Sequence, residues 1–320
     1  MNQNFSRSQT DCLKGVFAIG ILICHLCSRT GLGASVGLGP IYSALGYLSV
    51  SVFMFITGFG LMMRYMAFGG YFTNYLRNRI LPIYCLNVLL IAIYTLLKLI
   101  VGKEFTIVEL LMSFGFGKTI VPFGWYLQVC ILFYLFFYMS FKFVKQPVIG
   151  ILINCILILT YCLIAYLMNM SSTWFECSLS IIVGMIMAMR NTKVSVFSKS
   201  KQLVFLVIAG LVFVITFVFS GYKGISTDMR LLFKVFSSVY FSITVYFISC
   251  FVSLKGRFFE WLGRYYLEIY VLQGVSILLS DRYIGKDNPY FYFYFCLFLS
   301  LLLSAVCKKP IERYMSLVKK

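Results

Sequence analysis

Residues 147–168 read PVIGILINCILILTYCLIAYLM, with no charged side chain among them. At 1.5 Å per residue that stretch makes a helix of about 33 Å, enough to cross roughly 30 Å of hydrocarbon. A barrel strand would instead alternate apolar and polar positions over about ten residues. Here the apolar residues are consecutive, so the segment reads as a membrane-crossing helix. Working outward, comparable runs lie at 12–28, 42–63, 80–100, 125–143, 174–190, 202–220, 230–253, 261–280 and 290–307. Composition agrees: 61% of the 320 residues are hydrophobic and the mean hydropathy is +0.92. Soluble domains are about 45–50% apolar and have no means of burying such an excess. The expectation is an all-α integral membrane protein of about ten transmembrane helices. One polytopic domain fills residues 1–320, with no soluble extension. Lys14 precedes an apolar stretch from Val16 to Leu26, but no small-x-small cleavage site follows closely, so this is an uncleaved first helix.

The formal net charge is +18, and its distribution excludes a nucleic-acid footprint. With ten spans, 19 of the 28 Lys and Arg residues fall on the side of the termini, Lys145, Lys255 and Lys320 among them, while Lys286 lies on the other. Positive charge gathers on the cytoplasmic side of membrane proteins, so both termini are expected there. The eleven cysteines lie mostly within spans, where they read as small apolar side chains rather than a disulfide framework. Cys24-His25-Leu26-Cys27 has a C-x-x-C spacing, but haem attachment needs the histidine after the second cysteine and zinc needs a fourth ligand. No metal is expected.

Ionisable groups inside a bilayer are costly and mark function. His25 is the only histidine. If Lys14 marks the cytoplasmic interface, His25 lies about 16 Å deeper, near the midplane. Such a histidine either bonds one helix to another or serves as a general base, and midplane placement favours the base. Glu268 lies about one turn beyond Gly263 and Arg264, and Gln273 farther along at a depth like that of His25. Glu176 and Lys234 lie near the outer ends of their spans, where they could snorkel. Arg64, Arg77 and Arg79 form the basic connection after the second span. They read as positive-inside charge or as a phosphate clamp for a nucleotide-bearing donor such as coenzyme A. The glycine-rich stretch 31–40 reads as a flexible outer loop, not a dinucleotide fingerprint. No Walker, H-E-x-x-H or G-x-S-x-G motif is present.

Several patterns then line up in order. Lys14 is followed, after ten residues, by His25. Phe53-Met54-Phe55-Ile56-Thr57-Gly58-Phe59 is aromatic-rich, and Arg77-Asn78-Arg79-Ile80-Leu81-Pro82-Ile83-Tyr84 runs from basic residues into a proline. Gly124-Trp125-Tyr126-Leu127 opens a mid-chain helix. Leu262-Gly263-Arg264-Tyr265-Tyr266-Leu267-Glu268-Ile269-Tyr270-Val271-Leu272-Gln273 and Lys309-Pro310-Ile311-Glu312 come near the end. Together these resemble the acyltransferase 3 family of bacterial membrane O-acyltransferases, over residues 10 to 315. Lys14 stands where that family usually has Arg, Thr57 where it has Ser, and Gln273 where His is frequent, so no second histidine can be carried over. The Lys309-Pro310 segment resembles the family's exit from the last helix.

The resemblance implies a multi-pass enzyme of the bacterial cytoplasmic (inner) membrane. It would move an acyl group, acetyl by default, from cytoplasmic acyl-CoA to a hydroxyl of a cell-surface carbohydrate such as a polysaccharide or exopolysaccharide. His25 would be the catalytic base. Lys14, Arg64, Arg77 and Arg79 would bind the donor. Thr57 would meet the oxyanion or simply pack with Gly58, and Trp125, Glu268 and Gln273 would face substrate. Asp11 is too far along the first helix to partner His25. The competing function is a transporter or flippase for a lipid-linked glycan or small solute, against which no convincing internal duplication is visible.

Overall fold

The computed structural model describes residues 5–35, 37, 39–144, 146–252, 254, 256–285 and 287–319. Lys145, Lys255, Lys286 and Lys320, counted above for topology, lie outside the described residues. All regular structure among the described residues is helical. In order it comprises α1 (Arg7–Thr30), α2 (Leu32–Ser35), α3 (Gly39–Ala67), a π-helical turn (Leu76–Ile80) running into α4 (Leu81–Val101), α5 (Ile107–Phe114) and α6 (Trp125–Lys142). Then follow α7 (Pro147–Leu167), a 3₁₀ turn (Ser172–Trp174), α8 (Leu179–Val196), α9 (Lys199–Gly221), α10 (Thr227–Phe251), α11 (Arg257–Arg264), α12 (Tyr266–Tyr283) and α13 (Pro289–Lys319).

Nine helices among the described residues are long and apolar enough to cross a membrane, and the protein is an all-α, multi-pass membrane protein. They correspond to nine of the ten expected runs. The tenth, 261–280, is corrected: the helix breaks at Tyr265, leaving α11 before it and α12 after it. α12 has only 18 residues, and Glu268, Asp281 and Arg282 all fall within them, whereas each of the nine contains an 18-residue stretch with at most two charged side chains. Two smaller corrections concern the ends of elements. The chain stays helical through Pro310 to Lys319, because proline removes one amide donor while the turns on either side keep theirs. The glycine-rich stretch is not all loop, since α2 forms a turn within it, after Gly31 at φ +72°.

The helices fall into two compact units assembled from alternating stretches of chain. The first comprises Met1–Ile21, Ser43–Gly70 and Val144–Arg264. Its α9 and α10 form a hairpin zipped by ring pairs Phe219–Phe233, Phe213–Phe241 and Phe205–Phe247, with centroids 5.1, 5.1 and 5.6 Å apart. α3 crosses α8 through two glycines. A Cβ on Gly58 would run into the Ile181 carbonyl, and one on Gly184 into the Phe55 carbonyl. α1 meets α11 the same way, Gly15 lying on Gly263 and Gly263 on the Asp11 backbone. Glu176 is 2% exposed, which corrects the snorkelling expectation. It is held by Lys234 at 2.8 Å and by the Ser172 hydroxyl at 2.8 Å, so its charge is neutralised by partners rather than by water.

The second unit comprises Leu22–Tyr42, Tyr71–Phe143 and Tyr265–Lys320. α12 is its axis. It packs against α4 and α13, and residues 268–278 are all buried. A helix buried on every side has no polar face to show; accordingly several of its polar groups find partners inside the unit. The Tyr94 hydroxyl donates to the Val271 carbonyl at 2.8 Å, and Ser300 bonds Ser276 at 3.0 Å. At one end, Asp281 accepts from Tyr292 at 2.8 Å, Lys103 at 3.0 Å and Arg29 at 3.3 Å. The connection 101–124 contains α5, started by a Thr106–Glu109 capping box. Bonding to Lys118, then to the Thr106 amide, holds the Glu109 carboxyl below its ordinary range.

Candidate active site

His25 belongs to the second unit, in the last turns of α1. Its Nδ1 lies 3.0 Å from Oε1 of Gln273 on α12. An amide's oxygen and nitrogen are assigned from their partners, and here the partners decide. Gln273 Nε2 donates to the Tyr270 carbonyl at 2.9 Å. Reversing the amide would set oxygen against that carbonyl, acceptor against acceptor. Oε1 therefore faces the imidazole, Nδ1 carries the proton, and Nε2 keeps a lone pair that accepts no hydrogen bond among the described residues. That is the tautomer a general base requires. His25 and Gln273, read separately as lying at a similar depth, are thus brought together, and Gln273, which cannot titrate, sets the histidine's protonation pattern.

One face of the imidazole is covered. The Phe123 ring stacks on it with centroids 3.6 Å apart and planes 8° from parallel. Phe123 sits at φ +63°, a conformation uncommon outside glycine that costs about 1–3 kcal/mol. Its carbonyl accepts the Tyr270 hydroxyl at 2.7 Å. The loop before it is tied down by Ser113 and Gln128: the Ile120 amide donates to the Ser113 hydroxyl at 2.8 Å and the Gly117 amide to Gln128 Oε1 at 3.0 Å. Gly124 follows, where a Cβ would stand 3.0 Å from Val121 Cβ. Trp125 then opens α6, half-buried, edge-on to Tyr126, whose ring leans on Tyr270 at 5.1 Å.

Phe123 and Tyr270 were not singled out by the sequence reading. Tyr270 stood within a quoted motif, and Phe123 immediately precedes Gly124-Trp125-Tyr126-Leu127. The available signal was that a bulky residue before a tight Gly turn must point somewhere specific.

The remaining candidates are placed as follows. Glu268 is buried on α12, five residues or about 7.5 Å along the axis from Gln273. It does not join the His25 group. Its Oε1 lies 3.8 Å from Lys308, which also meets Glu312 at 3.1 Å, while Oε2 has no hydrogen-bond partner among the described residues. Arg77 and Arg79 occupy the π-helical turn before α4, Arg77 exposed and Arg79 half-buried. Lys14, Arg64 and Thr57 belong to the first unit. Lys14 is bound to Asp11 at 2.9 Å, and Arg64 is exposed in the last turn of α3. Thr57 is half-buried beside Gly58, at the crossing with α8.

A family model described as an acyltransferase domain matches residues 8–309. The chain belongs to the acyltransferase 3 family. It is therefore a membrane acyltransferase, and the His25 group lies within the matched residues. No curated protein and no solved structure matches the chain.

Proposed function

We propose that this acyltransferase moves an acetyl group from cytoplasmic acetyl-CoA to a hydroxyl of a cell-surface carbohydrate, in the bacterial cytoplasmic membrane. The observation that carries the reading is the bond from His25 Nδ1 to Gln273, which leaves the Nε2 lone pair as the basic one, in a chain of acyltransferase type. Nε2 takes the proton of the acceptor hydroxyl as that oxygen attacks the thioester carbonyl. The C–S bond breaks as the tetrahedral centre collapses, and the coenzyme A thiolate recovers the proton from the imidazolium. The donor's phosphates are held by Arg77 and Arg79, whose planar forks match phosphate oxygens. Trp125 and Glu268 contribute to the acceptor's surroundings, and Thr57 serves the α3–α8 contact.

The test is base-labile ester on surface polysaccharide from cells carrying the wild-type gene, a deletion and His25→Ala. The expected result is loss of ester in the deletion and in His25→Ala at normal protein level, and the ester's mass names the acyl group. Unchanged ester in all three, with less glycan reaching the surface in the deletion, would show a carrier instead. Replacing Arg77 and Arg79 together with Lys should weaken acetyl-CoA binding about ten-fold, through loss of the bidentate geometry. Unaltered donor affinity in equilibrium binding removes both from the donor site.

A further inference from the structure

We propose that Phe123 and Tyr270 are positioning residues for the base, an assignment that rests on the reading of His25 given above. Four residues form a closed circuit. His25 Nδ1–H donates to Gln273 Oε1, Gln273 Nε2–H donates to the Tyr270 carbonyl, the Tyr270 hydroxyl donates to the Phe123 carbonyl, and the Phe123 ring returns to the imidazole face. Each link removes a different freedom. The bond to Gln273 lies in the plane of the imidazole and fixes which edge points away. A single hydrogen bond is still a hinge, about which the ring can tilt. The stack at 3.6 Å opposes that tilt from outside the plane. Contact in the plane and contact across it together define the direction of the Nε2 lone pair.

Phe123 can do this only if its own backbone is held. A phenylalanine at φ +63° is maintained by its surroundings, not by preference. The Tyr270 hydroxyl grips its carbonyl, and the turn in which the Gly124 amide donates to the Val121 carbonyl at 3.0 Å closes behind it. Tyr270 thus acts twice, through its carbonyl on Gln273 and through its hydroxyl on Phe123. The stack closes one face of the imidazole, and because the Nε2 lone pair lies in the ring plane the acceptor hydroxyl reaches it along the ring's edge.

The experiment measures initial rates of acetyl transfer from labelled acetyl-CoA to native glycan in inverted membrane vesicles, per folded enzyme molecule. The variants are His25→Ala, Phe123→Leu, Phe123→Tyr and Tyr270→Phe. Phe123→Leu should lower kcat about ten- to hundred-fold, the scale of a misdirected catalytic group, with KM for acetyl-CoA unchanged. Phe123→Tyr, which keeps the stack, should restore kcat. Tyr270→Phe should lower kcat less than Phe123→Leu does. A kcat for Phe123→Leu equal to wild type, or an effect on KM alone, overturns the proposal. If Phe123→Leu does not fold, Tyr270→Phe decides, and a wild-type kcat there overturns it. Transfer surviving in His25→Ala instead refutes the base itself, whatever Phe123 does.

Discussion

The α3–α8 crossing in the first unit and the surroundings of α12 in the second are both close contacts, built from opposite materials. At the crossing there is almost nothing: Gly58 and Gly184 let each helix touch the other's carbonyls. Lipid tails are as apolar as leucine, so helices in a bilayer gain little from burying more hydrocarbon and associate through fit. Around α12 the contact is made by side chains that reach backbone groups, as Tyr94 reaches Val271 and Tyr270 reaches Phe123. The first arrangement tolerates no addition. The second tolerates subtraction at a modest cost for each bond. The difference separates two kinds of motif in one chain. Thr57-Gly58 is legible as fit, whereas Tyr270-to-Gln273 is legible as direction.

Gly184→Leu should do the most damage to stability. Even its Cβ has no room, so α3 and α8 must part, at about 3 kcal/mol, the upper end for overpacking. The check is the melting temperature in detergent, and an unchanged value would end the distinction drawn here. Lys308→Met comes next. It leaves Glu268 buried without its cation, and because that pair is separated by 3.8 Å the expected loss is about 2 kcal/mol, below the range for tight buried pairs. Adding Glu268→Gln should recover part of the melting temperature, and failure to do so would mean that Lys308 acts through Glu312 alone. Tyr94→Phe is the mildest. Removing one hydroxyl that bonds a backbone carbonyl should cost about 1 kcal/mol, and a loss several times larger would place α12 among the contacts that tolerate no change.

Much of the architecture could be read from hydropathy, because a run such as 147–168 has no soluble alternative. The break at Tyr265 could not. Hydropathy averages over the break, while its surroundings depend on Gly263 meeting Asp11, a residue some 250 positions away. Glu176 was misplaced for a related reason, since its partner Lys234 comes from another helix. At the candidate site, His25 was conspicuous as the sole imidazole and Gln273 by its place in a motif. Phe123 left no periodic signal: a residue in a turn obtains its orientation from φ, and φ +63° is not written in any spacing. Asp281 was likewise passed over, being one charge among several until Arg29, Lys103 and Tyr292 converge on it.

A chain with a single histidine has a consequence for observing its chemistry. Nitrogen-15 introduced through histidine alone would give one imidazole in the spectrum, with no assignment to make. Its two nitrogen resonances separate a protonated Nδ1 from a bare Nε2 directly. The Phe123 ring current would press the carbon-bound imidazole protons upfield for as long as the stack persists. The molecule thus carries its own resonance probe at the proposed base.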